Sequence, residues 1–92
     1  LIVINFLACI TTAHNALKDY PYTSMREDIS ILLLRAKHKL GSESVLEKKE
    51  ERMRETIDEY YAFKNEFPES KYMKEVEAIY KDASKYVKEL NE

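Results

Sequence analysis

The sequence predicts an all-helical protein, and three observations lead to this prediction. The 92 residues include one Gly and two Pro, too few for the regularly spaced turns of a β-rich fold. Ala, Leu, Glu, Lys and Arg dominate, which is typical of long helices. Interruptions fall around Pro21, Gly41 and Pro68. We therefore expect one domain over residues 1–92, with helices at about 2–19, 22–40, 44–66 and 69–90. Their short connections favour antiparallel hairpins.

The first predicted helix begins with the run LIVINFLACI, in which Asn5 alone is polar. This run has two interpretations: a secretory leader that ends at a lipid-attachment cysteine, or a core helix. Leu7 is poorly suited to the position two before a lipid-bearing Cys9. Residues spaced as one helical face follow instead, namely Phe6, Ile10, Ala13 and Leu17. We therefore expect a core helix, with Cys9 as an isolated buried thiol, in the C-terminal part of a longer protein. Its uncovered apolar surface is a route to dimerisation.

The second predicted helix is apolar on nearly every side. One face consists of Met25, Ile29, Leu32, Ala36 and Leu40. Other faces carry Ile31, Leu33 and Leu34. A helix of this kind is buried on more than one side, so we expect it between neighbouring helices.

The third and fourth predicted helices each carry a single apolar stripe on an otherwise charged surface. The stripe of the third consists of Met53, Ile57, Tyr60 and Phe67. That of the fourth consists of Tyr72, Val76, Ile79, Ala83, Tyr86 and Leu90. A single stripe is typical of a helix that covers one neighbouring surface.

The ends of the helices follow from residues that interrupt or cap them. Pro21 and Pro68 lack a backbone N–H, so each is expected at the first position of the next helix. Gly41 stands where a helix end favours a left-handed residue. Two pairs have the spacing of a capping box: Ser24 with Glu27, and Ser44 with Glu47.

An internal repeat appears when Pro68 is placed over Pro21, an offset of 47 residues. The pattern aromatic-Pro-x-Ser/Thr-x-large apolar then recurs, with a predicted helix on either side. The aligned pairs are Ile10 with Ile57, Tyr20 with Phe67, Thr23 with Ser70, Met25 with Tyr72, Ile29 with Val76, Leu32 with Ile79 and Ala36 with Ala83. A recurring helix–turn–helix unit predicts an α-solenoid fragment.

The run TIDEYYAFKNEFPESKYMKEVEAIYKDA resembles the final repeats of the BamD family, the lipoproteins of outer-membrane β-barrel assembly. In that family a Tyr-rich helix ends in an aromatic-Pro-x-Ser-x-Tyr turn, and a helix rich in Glu and Ala follows. The longer run SESVLEKKEERMRETIDEYYAFKNEFPESKYMKEVE is most similar to versions from Bacteroides-type bacteria, and NALKDYPYTSMREDI extends the likeness more weakly.

The resemblance implies a tetratricopeptide-like scaffold at the periplasmic face of the outer membrane. It would be anchored there by a lipid on upstream residues and would dock on the barrel-forming partner BamA. The resemblance assigns no individual contact residue.

The composition argues against several other functions. The formal net charge of −2 comes from 15 basic and 17 acidic residues, mixed along the chain, so nucleic acid is not an expected partner. His14 and His38 lie on different predicted helices, without a second ligand at metal spacing, and no metal or cofactor is expected. The pair Asp58-Glu59 is expected on a solvated face. With no Gly-rich phosphate loop and no nucleophile placed beside a base, we expect a non-enzymatic protein.

Tyrosine is the unusual residue type, with seven in the chain. Tyr72 and Tyr86 lie on the predicted stripe of the fourth helix and are expected in the core. Tyr60 and Tyr61 are neighbours on a helix and cannot face the same way, so one of them is expected outside. Tyr80, next to Ile79 of the predicted stripe, is also expected to point away from the core. The candidate partner-binding residues are Tyr60, Tyr61, Lys64 and Tyr80, with burial against the next helix as the alternative interpretation.

Two alternatives to a BamD-like function stay open. One is another tetratricopeptide adaptor that binds a peptide or protein. The other is a regulatory helical domain with a ligand pocket among its tyrosines.

Overall fold

The computed structural model describes residues 2–87, and over these residues it contains four helices and no strand. Helix α1 spans Ile2–Asp19, α2 spans Arg26–Ser42, α3 spans Leu46–Glu66 and α4 spans Met73–Ser84. Each helix packs against the next one along the chain. The predicted all-α fold of helical hairpins is therefore confirmed.

Helix α2 occupies the centre of the fold and contacts α1, α3 and α4. Its Ile31 and Leu34 enter a core cluster with Tyr60 and Phe63 of α3 and with Val76 and Ile79 of α4. The expected burial of α2 on more than one side is confirmed. Met25 and Leu32, predicted on its buried face, are exposed.

Helix α1 packs on α2 through the predicted face, of which Ala13 is buried and Phe6, Ile10 and Leu17 are half-buried. Ile4 and Leu7, which are not part of this face, are exposed. The helix is thus half core and half surface, as expected for an apolar helix with one covered face.

A second cluster joins α3 to the end of the described chain. It consists of Met53, Ile57, Ala83 and Val87. The predicted fourth helix extends to residue 90, but α4 ends at Ser84, so the residues that follow leave the helical register. Val87 therefore faces the core, whereas Tyr86, predicted as core, is exposed. Leu90 lies outside the described residues.

Helices α2 and α4 begin later than predicted. Pro21 and Pro68 lie inside these turns and not at the first helical position. In each turn a side-chain oxygen accepts a backbone N–H. Thr23 Oγ1 accepts the Met25 N–H at 3.2 Å, and Ser70 Oγ accepts the Tyr72 N–H at 3.0 Å. This local bond keeps the backbone out of the helix until the following residue.

The two turns have the same backbone hydrogen bonds at the offset of 47 residues. In the first turn the N–H groups of Thr23, Arg26 and Ile29 donate to the carbonyls of Tyr20, Thr23 and Met25. In the second the N–H groups of Ser70, Met73 and Val76 donate to those of Phe67, Ser70 and Tyr72. The repeat read from the sequence is therefore also a structural repeat.

Helix α2 ends close to Gly41, as predicted, but Gly41 is not left-handed and neither predicted capping box forms. Gly41 lies within α2 without a positive φ, and a Cβ added there would stand 2.9 Å from Met53 Sδ. Its role is a close approach between α2 and α3. Neither Met25 nor Val45, the residues before α2 and α3, makes a side-chain cap. Ser44 Oγ donates to the Leu40 carbonyl instead.

Candidate protein-interaction surface

The four residues proposed for partner binding lie together where α3 meets α4. Tyr60, Tyr61 and Lys64 come from α3, and Tyr80 comes from α4. The Tyr60 and Tyr80 rings stack with centroids 4.5 Å apart, and the Tyr61 ring meets them edge-on at 4.9 and 5.9 Å. We call these four residues, together with Glu77 of α4, the tyrosine surface.

Tyr60 is the inward-facing member of the adjacent pair, with 3% of its surface exposed. Its hydroxyl lies 3.0 Å from both carboxylate oxygens of Glu77 and donates to that carboxylate. Lys64 Nζ donates to the same hydroxyl at 3.3 Å. Burial raises the pKa of Tyr60, and Glu77 raises it further, while Lys64 acts in the opposite direction. Tyr60 is therefore a neutral, fully bonded support at neutral pH.

Tyr61 is the outward-facing member of the pair and is 52% exposed. A hydrogen bond with Tyr80 raises the pKa of Tyr61, with a smaller contribution from burial. Tyr80, expected on the outside, is half-buried and packs against both hydrophobic clusters. Because neighbouring helical residues face different ways, the sequence predicted that one ring of the pair points outward, and that ring is Tyr61. For Tyr80 the alternative interpretation, burial against the next helix, describes the structure.

Glu77 is a member of this surface that the sequence analysis missed. Its carboxylate lies 3.3 Å from Lys64 Nζ, besides accepting from Tyr60. The pKa of Lys64 is raised, first by its hydrogen bond to Tyr60 and then by Glu77. Glu77 precedes Tyr80 by one helical turn, and this i, i+3 spacing is the signal that could have placed both on one face.

The arrangement is suited to binding a side chain of another protein. Tyr61 presents a ring whose position is set by Tyr60 and Tyr80, and Lys64 and Glu77 place opposite charges beside it. Large amphipathic rings with fixed positions bury apolar area at little entropic cost. Tyr is among the residue types that contribute most to binding at protein interfaces.

The remaining candidate residues have structural partners or lie apart. His38 Nε2 lies 2.6 Å from Asp82 Oδ2, which ties α2 to α4, and His14 is exposed on α1. Within residues 2–87 no group of three or more His, Cys, Asp or Glu could hold a metal ion. Cys9, expected to be buried, is exposed, because it lies beside the face of α1 that packs on α2.

The tyrosines and acidic residues outside the tyrosine surface have separate roles. Tyr72 is half-buried, as expected for its stripe, and its hydroxyl donates to Asp28 at 2.8 Å. Tyr86 is exposed beneath Lys49, whose Nζ is 5.2 Å from the ring centroid. Of the acidic pair expected on a solvated face, Asp58 is exposed, while Glu59 pairs with a lysine of α2.

Among the helices of residues 2–87, none combines the length and the apolarity that crossing a bilayer requires. Comparison with known protein families, curated protein sequences and solved structures finds no match to this chain.

Proposed function

We propose that this chain is a non-enzymatic helical-repeat scaffold that binds another protein through the tyrosine surface. The observation that carries the proposal is the exposed ring of Tyr61, which rests on the stacked rings of Tyr60 and Tyr80. Because these rings are ordered before binding, a partner gains apolar contact without the cost of fixing them. Binding, rather than catalysis, is the chemistry to which such a surface is suited.

The surface also indicates the chemistry of the partner. Lys64 and Glu77 are half-exposed and flank the rings. A complementary surface presents an apolar or aromatic side chain to Tyr61 and an acidic group toward Lys64.

The candidate partner comes from the resemblance to the BamD family. We propose a BamA-like outer-membrane assembly protein, bound at the periplasmic face of the outer membrane. The turn that recurs at an offset of 47 residues supports a tetratricopeptide-like α-solenoid, the architecture of that family.

A pull-down with the 92-residue chain from detergent-solubilised envelope membranes of a Bacteroides-type bacterium tests the partner. Recovery of BamA supports the proposal. Recovery of soluble proteins alone overturns BamA as the partner and favours an adaptor with a different target.

Variants test the surface once a partner has been recovered. Tyr61→Ala is expected to weaken binding by about tenfold or more, since it removes the central exposed ring. Tyr22→Ala is the matched control, because Tyr22 is 98% exposed in the turn before α2. It should leave the affinity unchanged. If Tyr61→Ala alters neither affinity nor stability, the role of Tyr61 is wrong.

A further inference from the structure

A crevice of about 100 Å³ lies where α1, α2 and α3 meet. Half of its lining is apolar and half is charged. The apolar residues are Leu7 and Ile10 of α1 and Leu40 of α2, and the charged residues are Lys37 of α2 with Arg52 and Glu55 of α3. Leu40 is buried and Leu7 is 43% exposed, so the apolar lining extends from the core to the surface.

Arg52 differs from the other arginines of the chain in its partners. Arg26, Arg35 and Arg54 each pair with a glutamate carboxylate. Within residues 2–87 no carboxylate lies at ion-pair distance from Arg52, and its Nη1 donates to the Ser44 hydroxyl at 2.7 Å instead. A guanidinium has five N–H donors, so most of those on Arg52 remain for a ligand.

The guanidinium of Arg52 is held in place by the protein. Ser44, which accepts its Nη1–H, is buried and donates its own hydroxyl hydrogen to the Leu40 carbonyl. The backbone carbonyl of Arg52 accepts from the buried Thr56 hydroxyl at 3.0 Å. Because one edge of the guanidinium is already fixed, binding a ligand costs little side-chain entropy. The remaining donors suit a carboxylate, which a guanidinium binds through two parallel hydrogen bonds.

The other two charged residues favour a peptide over an acyl chain as the occupant. Lys37 Nζ pairs with Glu59 at 3.0 Å, so its charge is balanced. Glu55 is exposed, and none of the ion pairs within residues 2–87 includes it. A peptide offers a side-chain carboxylate to Arg52 and backbone N–H groups to Glu55. An ionised fatty acid offers a carboxylate but no donor.

The volume of the crevice limits how much of a peptide enters it. An apolar cavity of about 150 Å³ holds one benzene molecule. A crevice of about 100 Å³ therefore has room for one aliphatic side chain, such as that of Leu, Ile or Val. In an extended segment, side chains two residues apart project on the same side. The carboxylate that reaches Arg52 then belongs to an Asp or Glu two residues from the aliphatic one.

We propose that the crevice binds an extended segment of another protein with the pattern aliphatic-x-acidic. The aliphatic side chain packs against Leu7, Ile10 and Leu40, and the acidic side chain binds Arg52. This site goes beyond the proposed function and is independent of it. The tyrosine surface lies where α3 meets α4 and shares no residue with the crevice.

An NMR titration of the isotope-labelled 92-residue chain with the peptide acetyl-Gly-Leu-Ser-Asp-Gly-amide tests the site. The peptide should shift the backbone amide signals of Ile10, Leu40 and Arg52 and the side-chain Nε–H signal of Arg52. Replacing Asp of the peptide by Asn removes the charge that Arg52 binds, and replacing Leu by Gly removes the apolar contact. Each change should raise the dissociation constant by about tenfold or more.

Variants of the protein connect each part of the peptide to its contact. Arg52→Gln should weaken binding of the Asp peptide by about tenfold or more and have little effect on the Asn peptide. Leu7→Ala should weaken both peptides, because it removes part of the apolar wall. Lys39→Gln is the matched control, an exposed α2 side chain outside the crevice with the same change of charge, and should leave binding unchanged. The spectra also show that each variant remains folded.

Several results would overturn the proposal. Equal affinities of the Asp and Asn peptides would exclude the role of Arg52. The absence of peptide-induced shifts, or shifts confined to amides outside the crevice, would exclude the site itself. Tighter binding of hexanoate than of the peptide at the same amides would indicate an acyl chain as the occupant. Crevice shifts that depend on protein concentration alone would indicate a second copy. None of these results depends on Tyr61 or on recovery of BamA, so this test is separate from that of the proposed function.

Discussion

The Tyr60 ring stacks on the Tyr80 ring, with the two planes 23° from parallel, and so joins α3 to α4. The hydroxyl of the same Tyr60 crosses to Glu77, one turn before Tyr80 on α4. Tyr60 therefore contacts the neighbouring helix through both its ring and its polar tip. The exposed ring of Tyr61 packs edge-on against both rings of this support.

The hydroxyl of Tyr60 is expected to contribute to stability. Tyr60→Phe keeps the stacked ring but removes the hydrogen bond to Glu77, and we expect a loss of about 1 kcal/mol in the free energy of unfolding. Urea unfolding at neutral pH measures it. Tyr22→Phe removes a hydroxyl from an almost fully exposed side chain and should change stability by about 0.5 kcal/mol or less. Equal stability of the two variants would contradict the support assigned to Glu77.

The ion pair between Arg35 and Glu75 predicts a pH dependence in acid. Arg35 Nε and Nη2 donate to the Glu75 carboxylate at 2.6 and 2.7 Å. These bonds hold the pKa of Glu75 below its ordinary value of 4.5, against the opposing effect of burial. The pair therefore stabilises the fold above that ordinary value, and its contribution is lost as the pH falls through the lower pKa of the folded state.

Comparison with Glu75→Gln isolates this contribution. The side chains of Arg35 and Glu75 are 41% and 40% exposed. The free energy of unfolding of the wild-type chain should therefore exceed that of the variant by about 1 kcal/mol or less at neutral pH. Urea unfolding at a series of pH values should show this difference shrinking below the ordinary pKa of Glu75. A difference that stays constant in acid would mean that the charge of Glu75 is not its cause.

The helices and their repeat were predictable because local periodicity determines them. Apolar spacing placed Met53, Ile57, Val76 and Ile79 in the core, where all four are buried. The first residues of the helices were less predictable, because Pro21 is of a type suited to the first position of a helix. The hydroxyl two residues later competes with that start by accepting a backbone N–H. The recurrence of Pro-x-Ser/Thr was the local signal for this turn.

Features that depend on a neighbouring helix were not predictable. Gly41 has the spacing of a helix end, but its position reflects the nearness of Met53. Cys9 lies in an apolar run that favours burial, yet no described helix covers its side of α1.

The candidate surface was predictable in part. The adjacency of Tyr60 and Tyr61 required one exposed ring, but only the packing of α4 decides which ring it is. The role of Glu77 likewise depends on the register of α4 against α3, which no single helix specifies.

The repeated turn gives a prediction about its two hydroxyls. Ser70→Ala is expected to cost about 1 kcal/mol of stability, because Ser70 Oγ accepts the Tyr72 N–H and also donates to Glu27 on α2. Thr23→Ala removes the equivalent bond to Met25 at an exposed turn and should cost less. Thermal or urea unfolding of both variants checks the order. A larger loss for Thr23→Ala would show that the link to α2 does not contribute.

The contact between Gly41 and Met53 predicts a substitution whose effect changes sign with its neighbour. Ala is favoured over Gly inside a helix by up to about 1 kcal/mol, and Gly41 has no positive φ to forbid it. However, the new Cβ would lie 2.9 Å from Sδ of Met53, whose side chain is fully buried. Overpacking of this kind costs about 1–3 kcal/mol, so Gly41→Ala should destabilise the wild-type chain.

The same substitution should stabilise the Met53→Ala variant, because the obstructing side chain is then absent and the helix preference remains. Urea unfolding of the wild-type chain, the two single variants and the double variant gives the coupling between the two positions. A coupling near zero would contradict the close approach, since Gly41→Ala would then act through the backbone alone. A favourable effect confined to the Met53→Ala background would identify the side chain of Met53 as the obstacle to a larger residue at this position of α2.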